Sequence, residues 1–477
     1  MLIQEMMREE EKIVRSMEQY VQDEQRKGNF PSYFNFPLSM QFDLTGKCNL
    51  KCQHCFNDSR TDANDEENMT ADRWLELAGQ IIAEGGVFSA CFSGGEPFLK
   101  KELLLEMLGL FGQDGANLSV ITNGYLLNEK TVLDLKKFPR LKLRISIDGH
   151  TEDLHDALRQ VPGSFQRAVK AARLMASHGV MFEISSCVTP ANLESMEQMV
   201  KLAHELGALN IVFDMLVASG RAAKNRHLLF DLTQVGAFFA QLKALRQKYD
   251  DVLPAYTGTI MVQSLLSALP NENLLLRPNG DVRLACLAPF VIGNVMEEEI
   301  GEIWRKKGVI AWQHPTVRGY LHNADLISGE NKGFVNYLDK DIRLDFDSFK
   351  RKNEVPGKAQ PSQYKTPSVV HYAGLSAGGD RAYDNNEKQD SWLSSKRAKG
   401  TAVKTREDRN HLLVKSEDAT YIMNMPGRMS YRLMDGNRTI EEIVKEISSG
   451  FSIGEETVKA DIASFCRKLA DFRLVKI

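Results

Sequence analysis

Short apolar runs recur between residues 38 and 220, and the stretches between them have helical spacing. The runs predict six strands: Met40–Leu44, Ser89–Ser93, Leu118–Thr122, Lys142–Ile147, Met181–Val188 and Asn210–Met215. The stretch Thr70–Glu84 is typical of the helices between them, because Thr70 can cap its start. Six strand–helix repeats predict an α/β fold with a parallel sheet, in which chemistry lies beyond the carboxyl ends of the strands.

The pattern changes on both sides of this region. Residues 1–37 predict a charged helical extension that packs on the domain that follows, or else an arm that binds a partner. Residues 221–345 are mixed, and residues 346–408 have the composition of a flexible linker, or of an insertion that orders on a partner. From residue 409 to 477 a hairpin, helices and a short strand are predicted, with a capping box from Thr439 to Glu442.

Length and charge narrow the class of protein. A chain of 477 residues predicts two or three domains. With 60 basic and 63 acidic residues the net charge is −3, so nothing requires nucleic acid or an anionic membrane as partner. The charged N-terminus lacks the apolar core of a signal peptide, and no apolar run reaches membrane-spanning length. We therefore expect a soluble, cytoplasmic protein.

Three of the seven cysteines form a C-x3-C-x2-C motif directly after the first predicted strand. A short loop brings the thiolates of Cys48, Cys52 and Cys55 together, and thiolates are the ligands of iron–sulfur clusters. Three ligands leave one iron of a cubane cluster open to the amino and carboxylate groups of an amino acid. The alternative is zinc, which needs a fourth ligand; only His54 is near, and its place in the tight loop suits zinc poorly.

This loop resembles the cluster-binding loop of the radical S-adenosylmethionine (SAM) superfamily, with His54 where that family usually has an aromatic residue. The resemblance covers residues 38–220 and implies a partial (β/α)6 barrel. It implies one 4Fe–4S cluster on Cys48, Cys52 and Cys55, with SAM on the open iron. Reductive cleavage of SAM would then give a 5′-deoxyadenosyl radical that abstracts a substrate hydrogen atom, with an electron donor such as flavodoxin or ferredoxin.

Other strand ends resemble the SAM-binding motifs of the same superfamily. The GGEP turn implies that Glu96 holds the methionyl amine, and Arg159 resembles the arginine that pairs with the SAM carboxylate or ribose. The alternative without a cofactor is an ordinary strand-to-helix turn for GGEP and a surface salt bridge for Arg159. The residues assigned to the cofactor pocket are His54, Gly94, Gly95, Glu96, Pro97, Asn123, Ser146, Asp148 and Arg159.

The segment PNGDVRLAC resembles the SPASM/twitch extension that follows many radical SAM barrels. An auxiliary cluster needs about four thiolates, whereas Cys286 is the only cysteine of this segment. We therefore expect a degenerate twitch segment without an auxiliary cluster. Cys286 is then either a small buried residue or a hydrogen-atom donor that quenches a substrate radical, as in radical SAM peptide epimerases.

Residues 409–477 resemble the PqqD-like family, also called the RiPP recognition element. The resemblance implies a small winged helix–turn–helix domain that binds the leader of a precursor peptide as an added strand, with Tyr421–Met425 as the candidate edge. A DNA-binding winged helix would need a basic face, but 11 basic residues stand against 10 acidic ones from Arg409 to Ile477. A dimerisation module is the third interpretation.

Together these motifs predict a radical SAM enzyme that modifies a ribosomally synthesised precursor peptide by epimerisation or side-chain crosslinking. The lack of auxiliary-cluster cysteines argues against thioether formation. One alternative is a radical SAM maturase of a protein or of a peptide-derived cofactor. The other is a metal-binding regulator with a winged-helix reader domain.

Overall fold

The chain forms two compact units, seen in a computed structural model. The structure describes residues 19–59, 68–249, 252–255, 270–286, 288–324, 341–347, 349, 369–372, 397–400, 403–408, 411–415, 420–451, 455–471 and 474–476. The larger unit runs from Phe36 to Phe349, and the smaller unit combines Arg15–Asn35 with Lys350–Ile477. Among the described residues no helix is both long and apolar enough to cross a membrane.

The larger unit is built on one sheet, which has eleven strands within the described residues. The strands are β1 (Ser39–Asp43), β2 (Ser89–Ser93), β3 (Asn117–Thr122), β4 (Leu141–Ser146), β5 (Phe182–Val188), β6 (Asn210–Met215), β7 (Leu253–Ala255), β8 (Asn273–Leu276), β9 (Asp281–Arg283), β10 (Phe290–Asn294) and β11 (Ile342–Arg343). Strands β1 to β7 lie side by side in chain order, and each neighbouring pair is parallel. The predicted α/β fold with a parallel sheet is confirmed.

Helices follow the parallel strands. They are α1 (Ala71–Ala83), α2 (Lys101–Gln113), α3 (Glu129–Leu135), α4 (Glu152–Arg159), α5 (Ser164–His178), α6 (Met196–Glu205), α7 (Gly220–Lys224), α8 (Leu232–Lys248), α9 (Ile300–Lys306) and α10 (Pro315–Ala324). Thr70 caps α1 as predicted, because its side chain accepts from the Arg73 N–H.

Aromatic packing in the core fixes the first two strands. The Phe42 ring stacks on Phe92 with centroids 5.2 Å apart, and its centroid lies 5.0 Å from that of Phe111 on α2. All three side chains are fully buried. Because the rings tie β1, β2 and α2 together, the loops that leave the two strands at their carboxyl ends are held side by side.

The segment after residue 270 extends the same sheet past β1. Strand β8 pairs with β1 in parallel, with Leu276 opposite Phe42, and β9 and β10 follow as antiparallel neighbours. The loop between β9 and β10 contains Cys286. The twitch-like segment therefore adds strands directly beside the strand that leads into the cysteine motif.

Within the described residues, the smaller unit contains two antiparallel sheets, three C-terminal helices and the helical residues 19–26. One sheet has the order β12 (Val369–Tyr372), β16 (Thr420–Met423), β15 (His411–Lys415) and β14 (Lys404–Asp408). The other has the order β17 (Asp435–Thr439), β13 (Arg397–Gly400) and β18 (Val475–Lys476). The helices are α11 (Met425–Leu433), α12 (Ile440–Phe451) and α13 (Glu455–Asp471).

Two local predictions for this unit are confirmed. Strands β15 and β16 form the expected hairpin. At the start of α12 the Thr439 N–H donates to the Glu442 carboxylate at 2.7 Å, and the Glu442 N–H donates to Thr439 Oγ1 at 3.2 Å. This is the reciprocal pair of a capping box.

The predicted linker, residues 346–408, differs from a structureless connection because β12, β13 and β14 lie within it. Strand β14 starts at Lys404, so the C-terminal sheet begins before the expected boundary at 409. The buried face of β14 carries Lys404, Arg406 and Asp408. Charged residues on the inner face give no apolar alternation, which explains why the sequence pattern did not indicate this strand.

Residues 19–35 of the N-terminal segment belong to the smaller unit, and residues 1–18 of the predicted helical extension lie outside the described residues. Residues 19–26 are helical. Beyond them, His411 Nε2 donates to the Gly28 carbonyl at 2.9 Å, and the Asn35 N–H donates to Asp408 Oδ1 at 2.7 Å. Phe30 and Phe34 are buried. These contacts join positions more than 370 residues apart, which local periodicity does not reveal.

Candidate active site

The three motif cysteines converge in the loop after β1. Cys48 and Cys52 are buried together with Leu50, and Cys55 packs against this group from a half-buried position. An N–H donor lies within hydrogen-bonding distance of each of the three sulfur atoms. The Leu50 N–H lies 3.5 Å from Cys48 Sγ, the Ser59 N–H lies 3.3 Å from Cys55 Sγ, and Arg159 Nη1 lies 3.7 Å from Cys52 Sγ. Donors around sulfur stabilise thiolates that ligate a metal or cluster.

Burial shapes the acidity of these thiols. It raises the pKa of Cys48 to about 12, and the neighbouring Cys52 and Cys55 add to the increase. Burial also raises the pKa of Cys52, against the influence of Arg159. Buried thiols this close to one another become thiolates when a cation binds them and releases their protons. The donor set, three sulfurs without a fourth thiol in the loop, fits an iron–sulfur cluster with one open position.

The glycines of the GGEP turn allow close contact with the cysteine loop. The Gly95 N–H donates to the Thr45 carbonyl at 2.7 Å, and the Glu96 N–H donates to the Lys47 carbonyl at 2.9 Å. A Cβ on Gly95 would lie 1.9 Å from the Lys47 oxygen, and Gly94 has a φ of +117° that favours glycine. The backbone of this turn thus lies directly against the cysteine loop, and the assignment of Gly94 and Gly95 to the cofactor pocket stays a prediction.

Replacing Gly95 with alanine is therefore expected to displace the cysteine loop, since the new methyl group meets backbone that cannot rotate away. We expect the Gly95→Ala protein to lose most of its iron–sulfur absorption after anaerobic reconstitution and to be destabilised by about 1–3 kcal/mol. Gly109→Ala is the matched control, because a Cβ at that helical position meets nothing within 4 Å. Cluster content equal in both variants would contradict the predicted effect.

Glu96 links the turn to the end of β3. Its carboxylate accepts from the Phe98 N–H at 3.1 Å, Thr122 Oγ1 at 2.8 Å and the Asn123 N–H at 2.9 Å. Burial raises the pKa of Glu96 to about 7, although these donors oppose the increase. A carboxylate offers about four acceptor sites, so three donors leave room for one more. Asn123 also reaches the cluster loop, where its Nδ2 lies 2.9 Å from Asn49 Oδ1 and 3.8 Å from Cys48 Sγ.

Asp148 and Arg159 form a buried ion pair beneath the loop. Arg159 Nε lies 2.6 Å from Asp148 Oδ2, and the Cys187 N–H donates to the other carboxylate oxygen at 2.9 Å. Burial by itself would raise the pKa of Asp148, but Arg159 and nearby histidines hold it at about 2. Arg159 is buried, which excludes the surface salt bridge. Asp148 is fully buried and directs Arg159 toward Cys52.

The remaining assigned residues lie around these groups. Burial lowers the pKa of His54 to about 4, and its Nε2 is 3.7 Å from Asp148 Oδ2. Pro97 is buried at the start of a 3-10 turn, and Ser146 is half-buried at the end of β4. Within the described residues His54, Asp148 and Cys187 have ligand-type atoms within 4.8 Å of one another. Arg159 already neutralises the carboxylate, so this group is an ion-pair network and not a cation site.

Sequence reasoning missed the clamp that follows β6. The Arg221 N–H donates to the Cys55 carbonyl at 2.9 Å, and Arg221 Nε donates to the Cys52 carbonyl at 2.6 Å. Gly220 has a φ of +53°, and a Cβ there would lie 2.3 Å from the Cys55 oxygen. The signal that was available is a glycine just beyond the carboxyl end of a predicted strand.

Cys286 lies in the loop between β9 and β10, near Asp43 at the end of β1. The residue is exposed, yet protein groups around its thiol raise the pKa to about 11 by desolvation. Arg283, Asp43 on β1 and Cys91 on β2 are close enough to influence the thiol electrostatically. Cys286 therefore remains a neutral S–H near the carboxyl end of β1.

A cavity of about 410 Å³ opens beside the cysteine loop. Phe56–Asp58 line one side, and Ser219 and Gly220 line another. The charged side chains of the lining are four cations and two carboxylates: Lys224, Arg226, Arg277, Arg283, Asp58 and Asp341. Arg283 is buried, and its Nε lies 3.5 Å from an Asp341 oxygen. The cavity thus places a net positive surface next to the predicted cluster.

Comparison with known proteins agrees with this site. Residues 43–203 match the model of the radical SAM superfamily, so the larger unit contains a radical SAM domain. Residues 411–475 match the model of coenzyme PQQ synthesis protein D (PqqD). The chain therefore joins a radical SAM domain to a PqqD domain.

Three curated relatives are similar over part of the chain. The antilisterial bacteriocin subtilosin biosynthesis protein AlbA of Bacillus subtilis is 25% identical over 57% of this chain and 60% of its own length. A PqqA peptide cyclase of Methylocella silvestris is 27% identical over 58% of this chain and 76% of its own length. An AdoMet-dependent heme synthase of Methanosarcina barkeri is 31% identical over 39% of this chain and 53% of its own length. The chain thus spans between about half and three quarters of these relatives.

Proposed function

We propose that the protein is a radical SAM enzyme that modifies a ribosomally synthesised precursor peptide, by epimerisation or by crosslinking of side chains. The observation that carries the proposal is the pairing, in one chain, of three converging thiols, two of them buried, with a PqqD domain. AlbA and PqqA peptide cyclase, whose names concern a bacteriocin and a peptide, support a peptide substrate. We interpret the larger unit as a partial (β/α)6 barrel and the smaller one as a winged helix–turn–helix.

The chain's own residues would hold the cofactors. Cys48, Cys52 and Cys55 would ligate one 4Fe–4S cluster, which with bound SAM supplies reductive cleavage that starts radical chemistry. Glu96 would accept a hydrogen bond from the methionyl ammonium at its remaining acceptor site. Arg159, directed by Asp148, would face the SAM carboxylate or ribose. A flavodoxin or ferredoxin would deliver the electron.

The positive cavity beside the cysteine loop is the place where we expect the target residue to enter. It adjoins Phe56–Asp58, which follow the last cysteine ligand without a break. Its excess of cations favours an anionic group on the peptide close to the reacting position. The protein is expected to act without an auxiliary cluster, because Cys286 is the only thiol of the twitch-like segment.

Cys286 is our candidate hydrogen-atom donor for an epimerisation. Its S–H bond would break homolytically as a C–H bond forms on the substrate carbon radical. The resulting thiyl radical would return to the thiol by taking one electron from the electron donor and one proton from solvent. A neutral thiol is required for this step, which agrees with the pKa of about 11.

Replacing Cys286 with alanine tests the donor role. We expect deoxyadenosine formation to change by no more than about twofold, since the variant leaves the cluster loop intact. The epimerised product, and its deuterium uptake from D2O, should both be lost. The same measurements on Cys91→Ala provide a control at a half-buried thiol outside the twitch-like segment. Unchanged product from Cys286→Ala would eliminate the donor role.

The function itself is tested with any short reading frame that lies beside the gene. Its peptide is co-expressed with the enzyme, weighed by mass spectrometry and analysed for D-residues. A loss of hydrogen or a changed stereocentre is expected. An unaltered peptide would contradict the proposal, and a modified protein or cofactor would favour a radical SAM maturase. A protein that never releases 5′-deoxyadenosine under reducing conditions would instead be a metal-binding winged-helix regulator.

A further inference from the structure

The outer strand of the four-stranded sheet comes from the segment that the sequence predicted to be a linker. Strand β12 runs antiparallel to β16. Val369 lies opposite Met423, Val370 opposite Ile422, and Tyr372 opposite Thr420. The sequence Val-Val-His-Tyr has the high β propensity of a strand.

This strand covers the edge that was the candidate site for the leader peptide. The sequence analysis predicted that Tyr421–Met425 is open to an added strand, but β16 already has neighbours on both sides, β15 and β12. Helix α13 packs against β12 as well. The position beside β16 and α13 is therefore one in which an extended segment fits, and a segment of this chain now fills it.

The edge of β16 that β12 covers would be unstable if it were left without a paired strand. Tyr421, Ile422 and Met423 are buried, so β16 belongs to the core of the smaller unit. Without a neighbour it would present a row of unpaired backbone N–H and C=O groups, which recruit other strands. Any extended peptide that pairs with β16 must first replace β12, because one strand edge accepts one partner.

The occupant is short and tethered. Strand β12 has four residues, and 31 residues, Ala373–Val403, separate it from β14. A segment held on the same chain has an effective concentration on the order of millimolar or below. Four paired residues at that concentration form an occupant that a longer peptide, with more pairs and side-chain contacts, can displace.

We propose that Val369–Tyr372 occupies the leader-binding edge of this protein and that the precursor leader binds by displacing it. The inference relies on the proposed function for the identity of the displacing peptide. The edge selects an extended segment with β-branched or aromatic residues. Because a peptide binds only when the edge is free, its apparent affinity equals its intrinsic affinity multiplied by the fraction of molecules in which β12 is displaced.

The first experiment examines the strand pairing in the full chain. Val369–Tyr372 is replaced by Gly-Ser-Gly-Ser, and the control carries the same replacement at 385–388. Hydrogen exchange at Thr420–Met423 is expected to become about tenfold faster in the first variant and to stay unchanged in the control. Exchange at β14 should be the same in both. Equal protection of Thr420–Met423 in all proteins would overturn the proposal.

The second experiment uses a synthetic peptide of residues 365–376 and needs no knowledge of the precursor. The peptide is expected to restore protection from hydrogen exchange at Thr420–Met423 in the variant. Its affinity for the variant should be about tenfold higher than its affinity for the wild-type protein. The leader from the neighbouring reading frame should show the same preference. A leader that binds wild type and variant equally would overturn displacement while leaving the enzymatic function intact. A precursor that is never modified, with the exchange result unchanged, would instead reject the function alone.

Discussion

Replacing Cys52 with serine is expected to abolish the iron–sulfur absorption band and to lower 5′-deoxyadenosine formation by about 100-fold or more. Cys52 is buried, and the Arg159 guanidinium lies 3.7 Å from its sulfur. Serine oxygen is a poor ligand for iron–sulfur clusters, and only two thiolates would remain in the loop. The measurements are iron content, visible absorption and deoxyadenosine after anaerobic reconstitution with SAM and dithionite.

Cys91→Ser is the matched control for this experiment. Cys91 lies on β2, outside the cysteine loop, and is half-buried. We expect its iron content to equal that of the wild type. If Cys52→Ser kept the cluster and the wild-type rate, the assignment of the three motif cysteines as ligands would have to be abandoned.

Asp148→Asn is expected to lower the free energy of unfolding of the larger unit by about 3–5 kcal/mol. The substitution leaves Arg159 buried with no counter-ion at 2.6 Å, and an uncompensated buried charge is costly. Urea unfolding followed by tryptophan fluorescence reports this unit, because Trp74, Trp304 and Trp312 are buried in it. Glu302→Gln is the control. Its pairs with Arg305 and Lys306 are exposed, so we expect less than about 1 kcal/mol.

The pH dependence of the unfolding free energy tests whether the Asp148 carboxylate is ionised in the folded protein. The pKa of Asp148 is lowered from 3.8 to about 2, so the stability due to this carboxylate is present above about pH 4. It is lost as the pH falls through 2. The difference between wild type and Asp148→Asn should therefore shrink toward low pH. A difference that stayed constant from pH 7 to pH 3, or grew, would show that Asp148 is not ionised in the folded protein.

Strands β1 to β6 were predictable because each is a short run with buried apolar positions, bounded by turn residues. Predicted Ser89–Ser93 and Asn210–Met215 coincide with β2 and β6. Strands β3 and β5 differ from their predictions by one residue at one end, and β1 and β4 are shifted by one residue at both ends. Parallel strands end at one edge of a sheet, so the motifs that follow β1 to β4 were expected to meet there, and they do.

Contacts between distant segments were not predictable in the same way. The pairing of β8 with β1 joins positions more than 230 residues apart, and nothing in either run specifies the partner. The clamp of Arg221 on the cysteine loop depends on one backbone turn at Gly220. Strand β14 escaped notice because its buried face is charged. Periodicity reports which face of an element is buried, and not what buries it.

The grouping of residues 15–35 with residues 350–477 has a consequence for synthesis on the ribosome. The smaller unit takes its first strand-packing residues, Phe30 and Phe34, from the beginning of the chain. The radical SAM domain emerges complete while these aromatic side chains still lack the residues that will bury them. The smaller unit therefore assembles last, and premature termination anywhere before its final helices leaves the start of the polypeptide with no surface to fold against.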